Sequence, residues 1–254
     1  MGKIKGDNSL GFRNEEKIAH YLDGKHISEL NDHWRQIVCF MFNVEDDYEG
    51  QLSAHTIPKK NKPDIFVELC GKNRKTISIK EGSGNSVHQE SIQTFMEFLE
   101  EYHLSDDVKK YIYYFLYKDG TTNNTGEIRL NAKDFYKQHP EIIQELHTVF
   151  NSSPLKKDLV ERFLFTGKDK TATPADFLYH GTVENGFIAS REEVIDKLLN
   201  IEEESNGAIK ISCLTLQTWN ANLERKEPYE NRRHVIQIKF GSCKKTLQEI
   251  RNGK

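Results

Sequence analysis

Cysteines, long apolar runs and a net charge of one sign are all scarce in this chain of 254 residues, and each scarcity excludes something. The four cysteines, Cys39, Cys70, Cys213 and Cys243, lie far apart, the first three beside apolar residues, and form no CxxC pair. That pattern points to buried thiols and away from a zinc site or a disulfide set. No run reaches the roughly 18 apolar residues that a membrane helix needs, and the start MGKIKGDNSLGF lacks the apolar segment of a secretory signal. The expectation is a soluble, cytoplasmic protein without a membrane partner. Gly2 follows Met1, but Gly6 stands where a myristoylation pattern needs Ser or Thr. The 36 Lys and Arg nearly cancel the 39 Asp and Glu, so a polyanion would have to be met by a local patch.

What is present suffices for a core. Hydrophobic residues at 36% and aromatics at 10% separate the chain from disordered sequences, and its length suits one large domain or a domain with an extension. Spacing predicts a first helix from Asn14 to Leu22, with Glu15, Ile18, Ala19 and Leu22 on one face. The run from Trp34 to Val44 is rich in β-formers and reads as a strand. DIFVELC and TISIKEG, joined by the turn GKNRK, read as a hairpin. From Val87 the positions His88, Ile92, Phe95, Leu99 and Tyr102 recur at helical spacing. Val108 to Tyr117 fits a helix or a central strand, and its tyrosines favour the strand. Helical periodicity returns in Lys133 to Phe150 and in Leu155 to Phe165, and Ala208 to Ser212 and Val235 to Phe240 alternate like strands.

The chemistry concentrates in Pro63-Asp64, thirteen residues, then Ser78-Ile79-Lys80, with Glu15 upstream. Residues i and i+2 of a strand share a face, so Ser78 and Lys80 lie on one side while Ile77 and Ile79 pack on the other, and a hairpin brings Asp64 near them. This arrangement resembles the PD-(D/E)xK nuclease superfamily, and within it the type II restriction endonucleases. In that family a helix bears a Glu, a hairpin carries PD on one strand and (D/E)xK on the next, and a helix follows. The resemblance covers about Leu10 to Tyr102 and implies an α/β fold: a restriction-endonuclease-like mixed sheet flanked by helices. It divides the chain into a nuclease core, 1–150, and a helical and β-rich C-terminal part, 151–254, available for DNA recognition.

The resemblance implies Mg²⁺-dependent, sequence-specific cleavage of double-stranded DNA, with Asp64 as metal ligand and Lys80 orienting water and offsetting phosphate charge. A homodimer would serve the two strands, and a cognate methyltransferase would accompany such an enzyme. Ser78 departs from the motif, because it stands where the acid belongs and supplies no charged ligand. Glu15, Glu90 and Glu81 compete for that role, and Glu15 ranks first because its acid lies on the packing face. Glu90 corresponds by order to members with Ser or Thr at this position, which draw a Glu from the following helix, but its spacing and helical phase speak against it. Two other readings remain: a catalytically inactive DNA-binding protein, and a repair or RNA-processing nuclease on the same core.

Nucleic-acid contacts are expected in two places. In EGSGNSVHQE, Gly82 and Gly84 allow close backbone approach, while Ser83, Asn85, Ser86, His88 and Gln89 supply polar side chains near a helix start. The same stretch also fits an ordinary turn capped by Asn85 or Ser86. The second place is the C-terminal part, where ten Lys and Arg face four Glu from Gly207 onward. There Gln217, Asn220, Asn222, Arg225, Arg232, Arg233 and Gln237 are side-chain types that pair with base edges, and Trp219 is suited to stacking. A polar surface hairpin with a core Trp is the alternative.

Overall fold

Apolar residues at positions 34, 37, 38, 41 and 42 follow a helical period, and it prevails over the β-propensity of this run. In the computed structural model the expected strand at Trp34 is therefore a helix. Asn31 caps it by accepting the Trp34 N–H at 2.8 Å, Asp32 lies in its first turn, and Asn43 ends it in a left-handed conformation at φ 50°. The same logic corrects the tyrosine-rich run. Ser105 caps a helix over Asp106–Tyr117 whose buried Val108, Ile112, Phe115 and Leu116 share one stripe. The helix expected from Val87 begins only at Ile92, capped by Ser91, and the residues before it form a strand.

The structure describes residues 9–57, 62–82, 86–126, 129–169, 171–202, 208–219 and 230–253. Its elements are α1 (Ser9–Leu22), α2 (Asp32–Phe42), β1 (Leu52–Thr56), β2 (Ile65–Leu69), β3 (Lys75–Lys80), β4 (Ser86–Ser91), α3 (Ile92–Leu99), α4 (Asp106–Tyr117), α5 (Ala132–Gln138) and α6 (Pro140–Phe150). There follow α7 (Leu155–Glu161), β5 (Phe177–Gly181), β6 (Gly186–Ser190), α8 (Arg191–Leu199), β7 (Ile209–Ile211), β8 (Leu214–Thr218), β9 (Val235–Lys239) and α9 (Cys243–Arg251). Among the described residues no helix is long and apolar enough to cross a membrane.

The chain forms two compact units, each drawn from separated stretches: 1–85, 164–194 and 242–254 in one, and 86–163 and 195–241 in the other. In the first, a mixed five-stranded sheet runs in the order β1-β2-β3-β5-β6, with only the β3–β5 pair parallel. Helix α1 packs on β1 and β2, and α9 packs on β5 and β6. The core gathers Ile18, Leu22, Trp34, Ile65, Val67, Ile77, Ile79 and Tyr179. Full burial of an aliphatic side chain is worth about 2 kcal/mol, so Ile77 and Ile79 firmly fix which face of β3 turns inward.

The second unit is built on an antiparallel sheet in the order β4-β9-β8-β7, against which α3, α4, α6 and α7 pack. Two buried cations of its interior are bonded. The Arg129 guanidinium donates to the carbonyls of Leu116, Tyr117, Trp219 and Arg233, tying the end of α4 to the end of β8 and the start of β9. Lys118, 2% exposed, donates to the Thr218 hydroxyl at 3.0 Å.

Burial, reinforced by the like charge of Arg129, pushes the Lys118 ammonium down to about 7. Between there and the ordinary lysine value of 10.5 the unfolded chain holds a proton that the folded chain has released. The contribution of Lys118 to stability therefore increases as pH rises through that window. Urea unfolding at about pH 7 and about pH 9.5 should register this rise, and Lys118→Met should flatten it. An equal rise in the variant would assign it to other groups.

Candidate active site

The register of the β2–β3 hairpin places Asp64. Pairing of β2 with β3 ends at Ile65 opposite Ile77, so among the described residues no strand pairs with the β3 edge beyond that point on this side. Asp64 immediately precedes β2 and is fixed by main-chain bonds, its N–H to the Ile77 carbonyl at 2.9 Å and its carbonyl from the Ile57 N–H at 2.9 Å. Its carboxylate then takes the place of the absent strand. Oδ2 accepts the Ile79 N–H at 2.5 Å, the Lys80 ammonium at 3.2 Å and, more weakly, the Ser78 hydroxyl at 3.4 Å. The Lys80 ammonium also donates to the Ile79 carbonyl at 2.7 Å. The Asp64 and Lys80 side chains are 19% and 21% exposed, sheltered from bulk water yet open to a ligand, whereas Ser78 is fully buried.

On its other side β3 pairs with β5, which sets His180 beside Lys80 and Leu178 beside Ser78. His180 is half-buried, and burial lowers the pKa of its imidazole. Bonding to the backbone of Gly82 and of His180 itself opposes that shift, Lys244 adds to it, and Glu81 opposes it. No short motif marks His180 in the sequence. Only a parallel pairing across a hundred residues makes it a neighbour of Lys80.

Glu15 of α1 is half-buried. Its neighbour Asn14 is buried, 5% exposed, and its amide donates to the Gly181 carbonyl at 2.9 Å. Ile18, Ala19 and Leu22 are buried as expected, and Asn14 joins them. Glu81 is exposed at the end of β3. Glu90 lies on β4 in the other unit and is already committed: it takes Arg162 Nε at 3.0 Å, Arg162 Nη2 at 2.5 Å and His88 Nε2 at 3.1 Å. Burial opposes its ionisation, but the bonds from His88 and Arg162 outweigh burial and hold its carboxyl below the ordinary value.

Those contacts also correct the expected role of His88, which is 8% exposed and turned inward against Phe163. Arg233 is likewise internal, fully buried between Asp119 and Asn124. Ser83, Asn85, Asn220, Asn222 and Arg225 lie outside the described residues. The remaining polar candidates are ordered. Gln89, Gln237 and Gln217 stand opposite one another on β4, β9 and β8, forming a row on the face away from Ile236 and Ile238. Gln217 donates to Gln237 at 3.2 Å, Gln237 to the Ser86 hydroxyl at 2.9 Å, and Gln89 to the same hydroxyl at 3.3 Å. Arg232 lies over the Trp219 ring at 4.4 Å.

Among the described residues no three His, Cys, Asp or Glu side chains gather into a metal cage. Mg²⁺ does not require one, since it binds through one or two carboxylates and keeps waters that a phosphate can replace. Among the described residues, the hydrogen bonds that the Asp64 carboxylate accepts fall on Oδ2, and Oδ1 is available as a hard oxygen donor. The residues present fit such an ion.

No family model matches the chain, and no curated protein matches it. Among solved structures it is similar to the restriction endonuclease MspI, determined in complex with its cognate DNA, with a TM-score of 0.56 and 13% identity over 91% of this chain and 88% of that one. At that identity the likeness is one of fold, and the chain has a restriction-endonuclease-like fold.

Proposed function

We propose that this protein is a Mg²⁺-dependent endonuclease of type II restriction character that cleaves double-stranded DNA at a specific sequence. The observation that carries the reading is the Asp64–Lys80 pair at 3.2 Å, held at the end of β3 by the Ile79 amide, on a fold similar to that of a DNA endonuclease. Asp64 Oδ1 and Glu15 would hold the ion, which when bound supplies Lewis-acid stabilisation of charge on the phosphate. Lys80 orients the attacking water and offsets negative charge as the phosphorus–oxygen bond breaks. Ser78, fully buried, takes no charge and steadies Asp64. Two strands need two cuts, which a homodimer supplies in one encounter. A restriction role also calls for a methyltransferase, on another chain, that protects the host site.

The glutamine row supports sequence reading. Glutamine pairs bidentately with adenine, and amides held by one another and by Ser86 are already oriented before DNA arrives. Arg232 and Trp219 add a cation and a stacking surface, and Asn220, Asn222 and Arg225 extend the same chemistry in sequence.

Digestion of supercoiled plasmid with Mg²⁺ and with chelator tests the reading. Wild-type protein should cut only with Mg²⁺ and give discrete fragments, Asp64→Ala should not cut while still binding duplex, and Lys80→Ala should lose about 10²-fold in rate. Full cleavage by folded Asp64→Ala removes the assignment. Binding without any cutting by wild-type protein supports the inactive DNA-binding reading, and cutting of RNA alone supports the RNA-processing one.

Replacing the central amide, Gln237→Ala, should relax recognition by about 1–3 kcal/mol at one base pair with cleavage chemistry intact. Sequencing of fragment ends would reveal degenerate sites. Unaltered ends would remove the row from base reading.

A further inference from the structure

The tip of β5 joins two things that the chain keeps far apart. Gly181, its last residue, accepts the buried Asn14 amide of α1, 167 positions away. His180, one residue earlier, is the register partner of Lys80, which bonds Asp64. Asn14, Gly181, His180, Lys80 and Asp64 therefore form a contiguous series, all within the first unit.

The tip is a rigid anchor. A Cβ at Gly181 would lie 2.2 Å from the Asn185 carbonyl oxygen and 2.4 Å from the Gly186 Cα, so the backbone there closes without room for a side chain. The Tyr179 hydroxyl donates to the Thr182 carbonyl at 2.5 Å, and the Thr182 N–H donates to Asn185 at 2.8 Å. The Asn31 amide, at the cap of α2, reaches the Val183 carbonyl in the same turn at 3.1 Å. Lys17 of α1 interacts electrostatically with Glu184 of that turn.

Asparagine is a poor residue for the body of a helix, and a buried amide is costly unless bonded, so Asn14 sacrifices local helix stability for a distant contact. The following residue is Glu15. We propose that Asn14 is a positioning residue that acts through Glu15: by fastening α1 to the tip of β5 it holds the Glu15 carboxylate at the end of the sheet where Asp64 and Lys80 meet. The proposal rests on the nuclease reading and deepens it by stating what orients the second metal ligand.

The test is Mn²⁺ binding to the full chain without DNA, followed by the electron paramagnetic resonance of free Mn²⁺, in wild type, Asn14→Ala, Glu15→Gln and the double variant. Asn14→Ala should weaken Mn²⁺ about tenfold, the scale for a group that orients a ligand. In the Glu15→Gln background the same change should alter affinity by less than about twofold, because the group it acts through is gone. Asn14→Ser, smaller and unable to span to Gly181, should repeat the effect if Asn14→Ala folds poorly. Equal losses in both backgrounds reduce Asn14 to helix packing and overturn the proposal, as does wild-type affinity in Glu15→Gln. A wild-type protein that takes up no Mn²⁺ overturns the nuclease reading and this proposal with it.

Discussion

The carboxylate oxygen Asp64 Oδ2 receives the Ile79 amide, the Lys80 ammonium and the Ser78 hydroxyl, and the local geometry of the site depends on that convergence. A strand edge left without a neighbour would expose an N–H to solvent or bury it unpaired, at a cost of about 1–3 kcal/mol in the buried case. The Asp64 side chain removes that cost by serving as the next acceptor, and its position is thereby set by the hairpin register. One oxygen serves twice: Oδ2, which finishes the sheet edge, also lies 3.2 Å from the Lys80 ammonium.

The second unit manages charge differently. Arg233 pairs with Asp119, Arg162 pairs with Glu90, and Arg129 spends its donors on four backbone carbonyls. Breaking one partner of a buried pair commonly costs about 3–5 kcal/mol, so these cations belong to the framework and are not available to a polyanion. What faces outward on the sheet is milder: a row of amides on three strands, with Lys239 at the end of β9. Amides discriminate by hydrogen-bond direction, whereas exposed cations contribute mainly sequence-independent attraction to phosphate.

The hairpin and its PD and SxK residues were legible because strand alternation, a Gly-Asn turn and a Pro-Asp start act locally. The helices over 32–42 and 106–117 were not, because aromatic and β-branched residues read as strand until the caps Asn31 and Ser105 are given weight. Asn14 hid behind Glu15 for a related reason: a buried amide in the body of a helix makes sense only with its acceptor, Gly181, in view. His180 and Arg162 are invisible without tertiary pairing, since each meets its partner across 72 or more residues. His88 and Arg233 read as surface groups by residue type, yet strand phase and an internal acid turn them inward.

The central claim is that Asp64 and Lys80 form a cation-assisted hydrolytic site. Anomalous scattering from crystals soaked in Mn²⁺, a spectroscopically visible substitute for Mg²⁺, tests it most directly. The account predicts a peak about 2.1 Å from Asp64 Oδ1, with Lys80 remaining at the edge of the same site. A strong peak elsewhere in the chain, with none at Asp64, would contradict it.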